Sequence, residues 1–228
     1  MTQPAALIVG VGPGLSASVA RVLADEGYHV HLVARTPEKL APLRDEIGGT
    51  AHGADVTDAA AIAGIVDGIE GRLEVAVCNP SARVRGPLVE LDPGAVATAV
   101  QVTALGSFVV GQAAARRMLA QDGPVKGTIL FTGASAGEKG FAQSASFAMG
   151  KFAQRGLAQS MSRELHPQGI HVVWVNIDGG IRAPGREAPG EDALLNPDAI
   201  AQSYLALIRQ DRSAWSHELA LRPWVERF

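Results

Sequence analysis

The chain has 228 residues, with 20 Lys and Arg against 23 Asp and Glu, for a formal charge of −3. That near-neutral balance leaves no electrostatic footprint for nucleic acid or an anionic membrane, and the length suits one α/β domain with a self-sufficient core. A single cysteine, Cys78, excludes an internal disulfide, and the six His show no zinc-like spacing, so a reducing, metal-free setting is expected.

The N-terminus enters the apolar run 5–11 without a basic stretch or a cleavage-like site, and no segment has 18 uninterrupted apolar residues. A cytoplasmic protein is expected. Strand-length apolar runs recur at 5–11, 29–34, 50–54, 75–79, 128–132, 171–177 and 218–221, with helix-like stretches between them. Most are continuous rather than alternating, as strands covered on both faces should be. The pattern predicts an α/β fold with a doubly wound parallel sheet, one domain over 1–228. Leu15, Val19, Val22 and Leu23 mark one helix stripe, and Phe152, Leu157, Met161 and Leu165 another. Asn196, Pro197 and Asp198 read as a cap, a first-turn proline and a first-turn acid opening a late helix. The segment 179–196 is rich in Gly and Pro without periodicity, and is read as a lid.

The first strand runs into Gly10-Val11-Gly12-Pro13-Gly14-Leu15-Ser16 and then an amphipathic helix. In that setting, glycines let the backbone approach a pyrophosphate, while free N–H groups and the helix dipole favour its charge. About 20 residues on, an acid would bind a ribose 2′-hydroxyl and an Arg would accommodate a 2′-phosphate. The second strand ends Ala34-Arg35-Thr36, which favours NADP over NAD unless Arg35 is simply a solvated strand end. Thr36 offers either a hydroxyl contact or a cap before Pro37.

These residues, with Asp55 and Val56 after the third strand, Asn79 after the fourth, Lys151 after the fifth and the Gly179-Gly180-Ile181 turn after the sixth, resemble the short-chain dehydrogenase/reductase family over essentially the whole length. The resemblance implies a Rossmann-like fold in which Asp55 and Val56 lie near the adenine, Asn79 near the nicotinamide, and the backbone of Gly179 and Ile181 against the nicotinamide. From the residues alone, Asp55 also suits a cap on a helix beginning near Thr57, and Asn79-Pro80 an ordinary turn. Ser16 replaces the family's last glycine, which puts close helix–sheet packing there in doubt.

The family's machinery is a Tyr four residues before a Lys on one helix, a Ser after the preceding strand and an Asn on an earlier helix. A carbonyl accepting hydride must also receive a proton; a phenol with an ammonium beside it supplies one, and a hydroxyl steadies the oxyanion. Here the matching segment is Phe147-Ala148-Met149-Gly150-Lys151, so the Lys is present and the phenol is not. Ala134 stands at the Ser position with Ser135 beside it, and Thr103 stands where the Asn falls. Neither Tyr28 nor Tyr204 has a Lys four residues later.

Lys151 is therefore read as a ribose-binding and catalytic group, or else as a helix-surface lysine. Ser135 is the best replacement hydroxyl, or else a turn residue; Ser144 and Ser146 are further options, as is a held water. The resulting expectation is an NADP-dependent oxidoreductase with a modified proton-donor site, acting on a small carbonyl, alcohol or enone. The alternative is a catalytically impaired NADP-binding protein with a regulatory or structural role. The lid offers few polar handles in Ala183, Pro184, Ala188 and Pro189, which suggests a small or apolar substrate; Arg182 and Arg186 either bind an anionic group or face solvent. By resemblance, a homodimer or homotetramer is expected, packed through helices at 103–119 and 147–165 whose small residues, as in 111–115, permit close approach. The stretch 215–228 either packs on a neighbour or closes the sheet edge.

Overall fold

In the computed structural model, residues 3–183, 185–187 and 190–225 are described. Pro184, Ala188 and Pro189 of the expected lid, and the last three residues of the 215–228 stretch, lie outside them.

In chain order the main elements are β1 (Ala5–Val9), α1 (Leu15–Asp25), β2 (His29–Ala34), α2 (Ala41–Ile47), β3 (Thr50–Gly53), α3 (Ala59–Asp67), β4 (Leu73–Cys78), α4 (Pro93–Val100), α5 (Gly106–Leu119), β5 (Gly127–Thr132), α6 (Ala145–Leu165), β6 (Ile170–Ile177), β7 (Gly180–Ile181), β8 (Leu194–Leu195), α7 (Pro197–Ile208) and β9 (Glu218–Leu221). Seven strands form one parallel sheet in the order β3-β2-β1-β4-β5-β6-β9. Every expected strand is present. β1 stops at Val9 and β4 at Cys78, because the backbone turns away there to form loops at the sheet's C-terminal edge.

Alternation along each strand divides the core in two. Leu7, Val9, Phe131, Val172 and Trp174 face α3, α5 and α6. Ile8, Leu32, Leu130, Val173 and Val175 face α1, α2 and α7. Both faces are covered, which is why the strands read as unbroken apolar runs. The stretch 93–119 is long and apolar enough to cross a membrane by length and composition alone. Val109, Val110, Ala114 and Met118 of that stretch pack into the core, which accounts for its apolar character.

Two expectations change, and one left open is settled. Phe152 is exposed, and the buried stripe of α6 runs through Phe147, Lys151, Gln154, Ala158, Ser162 and Leu165. Half of that stripe is polar and so gave no apolar signal, while Leu157, Met161 and Leu165 of the expected stripe do pack on the core. A side chain at Gly111 would stand 3.0 Å from Phe131 Cζ and 3.1 Å from Met161, so this small residue serves packing within the chain. Part of 215–228 closes the sheet: β9 pairs with β6, and the Trp215 ring stacks on His171 with centroids 4.8 Å apart.

Candidate active site

The strand order reverses between β1 and β4, where crossovers leave toward opposite faces and a crevice opens beyond the strand ends. A cavity of about 390 Å³ lies there, and Gly10, Arg35, Thr36, Asp55, Val56 and Asn79 meet on its wall. Lys39 lines the same wall from the short 3-10 turn Pro37–Leu40. Sequence reasoning missed it, although a second cation four residues after Arg35 was a readable signal.

The glycine turn divides by role. Gly10 has φ +86°, and a Cβ there would stand 2.7 Å from the Pro80 nitrogen, so only glycine fits. At Gly12 and Gly14 an added Cβ would meet nothing within 4 Å, so both border open space. Gly14 caps α1 without a side chain, leaving the N–H groups of Leu15 and Ser16 for an anion. The turn therefore fits the diphosphate of a dinucleotide.

Ser16 does not loosen the packing, contrary to expectation. It is buried, its Oγ donates to Gly10 O (3.2 Å) and accepts from Asn79 Nδ2 (2.6 Å), and Asn79 Nδ2 also reaches Gly10 O (3.1 Å). Asn79 thus braces the glycine turn. Asp55 accepts bonds from the Thr57 N–H (2.9 Å) and hydroxyl (2.7 Å), which hold its carboxyl below the usual range, with Arg35 adding to the effect. The cap of α3 is Asp58, not Asp55. Thr36 makes no side-chain cap bond.

A second group lies on α6 and β5, off that cavity's wall. Lys151 is buried, which sets aside the helix-surface reading: Nζ donates to Thr132 O (2.6 Å) and Gln154 Oε1 (3.2 Å). Gln154 continues the network to Ser107 (2.9 Å), and Ser107 to Thr103 O (2.6 Å) across a π-helical turn at Gln101–Leu105. Phe147 lies one turn before Lys151, with Nζ 5.8 Å from its ring centroid. Ser135 opens the 3-10 turn after β5, half-buried, with no side-chain hydrogen bond. Ser146 is not an available donor, since its hydroxyl is already bonded to both polar groups of the Val84 backbone. Tyr204 is buried against Thr132 and burial pushes its phenol up, so it is inert. Gly179, at φ +153°, packs against Pro223 and Leu195, while Ile181 pairs with Leu195 through β7 and β8, closing the base of the 179–196 loop.

Burial, with repulsion from Arg83, lowers the Lys151 ammonium from 10.5 to about 7. Between those values the unfolded chain holds a proton that the folded chain has released, so stability rises with pH above 7 and the full penalty applies below it. Urea unfolding from pH 7 to 8.5 is expected to show a gain of up to about 1.4 kcal/mol per pH unit. Lys151→Met should flatten the slope; an unchanged slope in that variant would disprove the assignment. The window stops at 8.5 because the Cys78 thiol, pushed up by burial, acts in the opposite sense at higher pH.

Residues 4–188 match the family described as short chain dehydrogenase. A 3-dehydrosphinganine reductase of Arabidopsis thaliana is 30% identical over 72% of this chain, which spans only 51% of that reductase. A cyclic-di-GMP-binding biofilm dispersal mediator protein of Escherichia coli is 28% identical over 75% of this chain and 70% of its own. Among solved structures, a short-chain dehydrogenase from Rhodopseudomonas palustris is 33% identical, with a TM-score of 0.85 over 98% of this chain and 100% of its own. A metagenomic short-chain oxidoreductase in complex with NADP is 29% identical, with a TM-score of 0.83 over 98% of each chain. With its seven-stranded parallel sheet, its glycine turn at the switch point and this match over most of its length, the chain belongs to the short-chain dehydrogenase family of nicotinamide-dependent oxidoreductases.

Proposed function

We propose that the chain is an NADP-dependent oxidoreductase with a modified proton-donor site, acting on a small carbonyl, alcohol or enone. The observation that carries the cofactor preference is the pairing of Arg35 and Lys39 on the cavity wall at the end of β2, where a ribose 2′-phosphate would lie. Gly10, Gly12, Gly14 and Leu15 take the diphosphate, Asp55 and Val56 border the adenine, and Gly179 and Ile181 border the nicotinamide. The bound nicotinamide supplies or accepts the hydride. Lys151 holds the nicotinamide ribose, and Ser135, whose hydroxyl is unengaged, serves the substrate oxygen. The 179–196 segment closes over the cleft, and copies of the chain pair through the exposed apolar positions Leu105 in the π-helical turn, Phe108 on α5, and Met149 and Phe152 on α6.

Fluorescence titration of the three Trp should give tighter binding of NADPH than of NADH, by roughly 10-fold or more given two charge-assisted contacts. Tighter NADH binding would refute the preference. A second reading, a cofactor-binding protein with a regulatory or structural role, is favoured by one feature: an apolar ring, Phe147, occupies the family's proton-donor position. One relative is likewise named for binding rather than for turnover.

A further inference from the structure

The loop after β4 is held on both sides of Arg83. Thr103 Oγ1 accepts from the Ala82 N–H (3.0 Å) and donates to its carbonyl (3.4 Å); Ser146 Oγ accepts from the Val84 N–H (3.0 Å) and donates to its carbonyl (2.9 Å). Both hydroxyls belong to fully buried side chains, and one of them, Thr103, stands where the family's helix Asn falls. Thr103 clamps this loop, and the residue clamped between 82 and 84 lays its guanidinium over the Phe147 ring, 3.8 Å from the centroid.

Other basic groups lie nearby. Lys151 Nζ is 5.8 Å from that ring centroid. Arg186 reaches back over the turn after β6, where a Cβ on Gly180 would stand 2.5 Å from its Nη2. Burial and the charges of Arg85 and Arg186 hold Arg83 below its ordinary value. Among the described residues, Arg83, Arg85 and Arg186 form no ion pair, although other partly exposed arginines do, such as Arg21 with Glu46 and Arg155 with Glu218. Among the described residues the one hydrogen bond from these three is Arg186 Nη1 to Ile181 O, 3.3 Å. A guanidinium with one face on an aromatic ring still presents its in-plane N–H edges, the geometry that binds an oxyanion with two parallel bonds.

The geometry points to an oxyanion site beside the Phe147 ring, in which Arg83, assisted by Arg186, binds a carboxylate or phosphate carried by the substrate. This rests on the oxidoreductase reading and names its substrate class. It replaces the apolar substrate suggested by the lid composition, and it gives Phe147 a function as the platform that orients Arg83.

The test uses two matched pairs: benzoylformate with its methyl ester, and dihydroxyacetone phosphate with dihydroxyacetone. Binding is measured on protein saturated with NADP, which occupies the Arg35 and Lys39 site, and again on cofactor-free protein. In at least one pair the anion should bind roughly 10–100-fold more tightly than its neutral partner. Arg83→Gln should remove that preference and Arg83→Lys should restore it only in part, with NADPH affinity unchanged in both. Equal or tighter binding of the neutral member in both pairs, no binding of any of the four, or a preference that survives Arg83→Gln would each overturn the assignment. Loss of NADPH and NADH binding in the wild type would instead overturn the cofactor reading, which the cofactor-free arm separates from the anion result.

Discussion

Phe147→Tyr is expected to raise NADPH-dependent carbonyl reduction by about 10²–10⁴, the contribution of a positioned general acid. The substitution adds one oxygen to a ring already on the Lys151 face of α6. The new phenol would lie beside the Arg83 guanidinium, 3.8 Å from the ring centroid, with Lys151 Nζ at 5.8 Å. Positive charge favours the phenolate and so brings the phenol toward working pH. The measurement is kcat/KM over a panel of carbonyls and enones in the wild type and the variant. A fast wild type slowed by the added hydroxyl would show that position 147 is not a missing acid. In that event the wild-type proton comes from another group, with Ser135 first among them because its hydroxyl is unengaged.

Arg35→Asp is expected to invert cofactor preference, weakening NADPH by roughly 100-fold or more and leaving NADH little changed or improved. The substitution removes one charge-assisted partner of a 2′-phosphate and puts a like charge in its place. An acid at this strand end is also the group that accepts hydrogen bonds from a free ribose 2′-hydroxyl. Because Lys39 remains on the wall, Arg35→Ala alone should lose less, and Arg35→Ala with Lys39→Ala should approach the effect of Asp. Titrations with NADPH and NADH on the four proteins decide it. Equal losses for both cofactors in Arg35→Asp would place Arg35 against a part that they share.

Much of the cofactor end was readable because its signals are local. Gly10, Gly12, Gly14 and Arg35 sit within one strand–turn–helix–strand unit, and the chain path alone brings them to one strand edge. Asn79 was singled out, but its bonds to Gly10 and Ser16 cross between β1 and β4 and have no local signature. The helix carrying Phe147 and Lys151 was found, and Leu157, Met161 and Leu165 of its expected stripe pack on the core, but Phe152 does not, and Lys151 and Gln154 are buried by a polar network that apolar periodicity does not show. Arg83 was not noticed at all, since a lone arginine in a loop carries no pattern.

Taken alone, the sequence determined the doubly wound sheet, the glycine turn after the first strand and the Phe147–Lys151 spacing on one helix. Each follows from short-range order: apolar runs that need cover on both faces, glycines where a backbone must come close, and one residue type at a known helical offset. Only the tertiary structure decided what lies against Phe147. Arg83 reaches Phe147 because two buried hydroxyls, from separate helices, saturate the backbone on either side of it. Such a contact depends on how layers pack across the sheet, which no periodicity along the chain encodes.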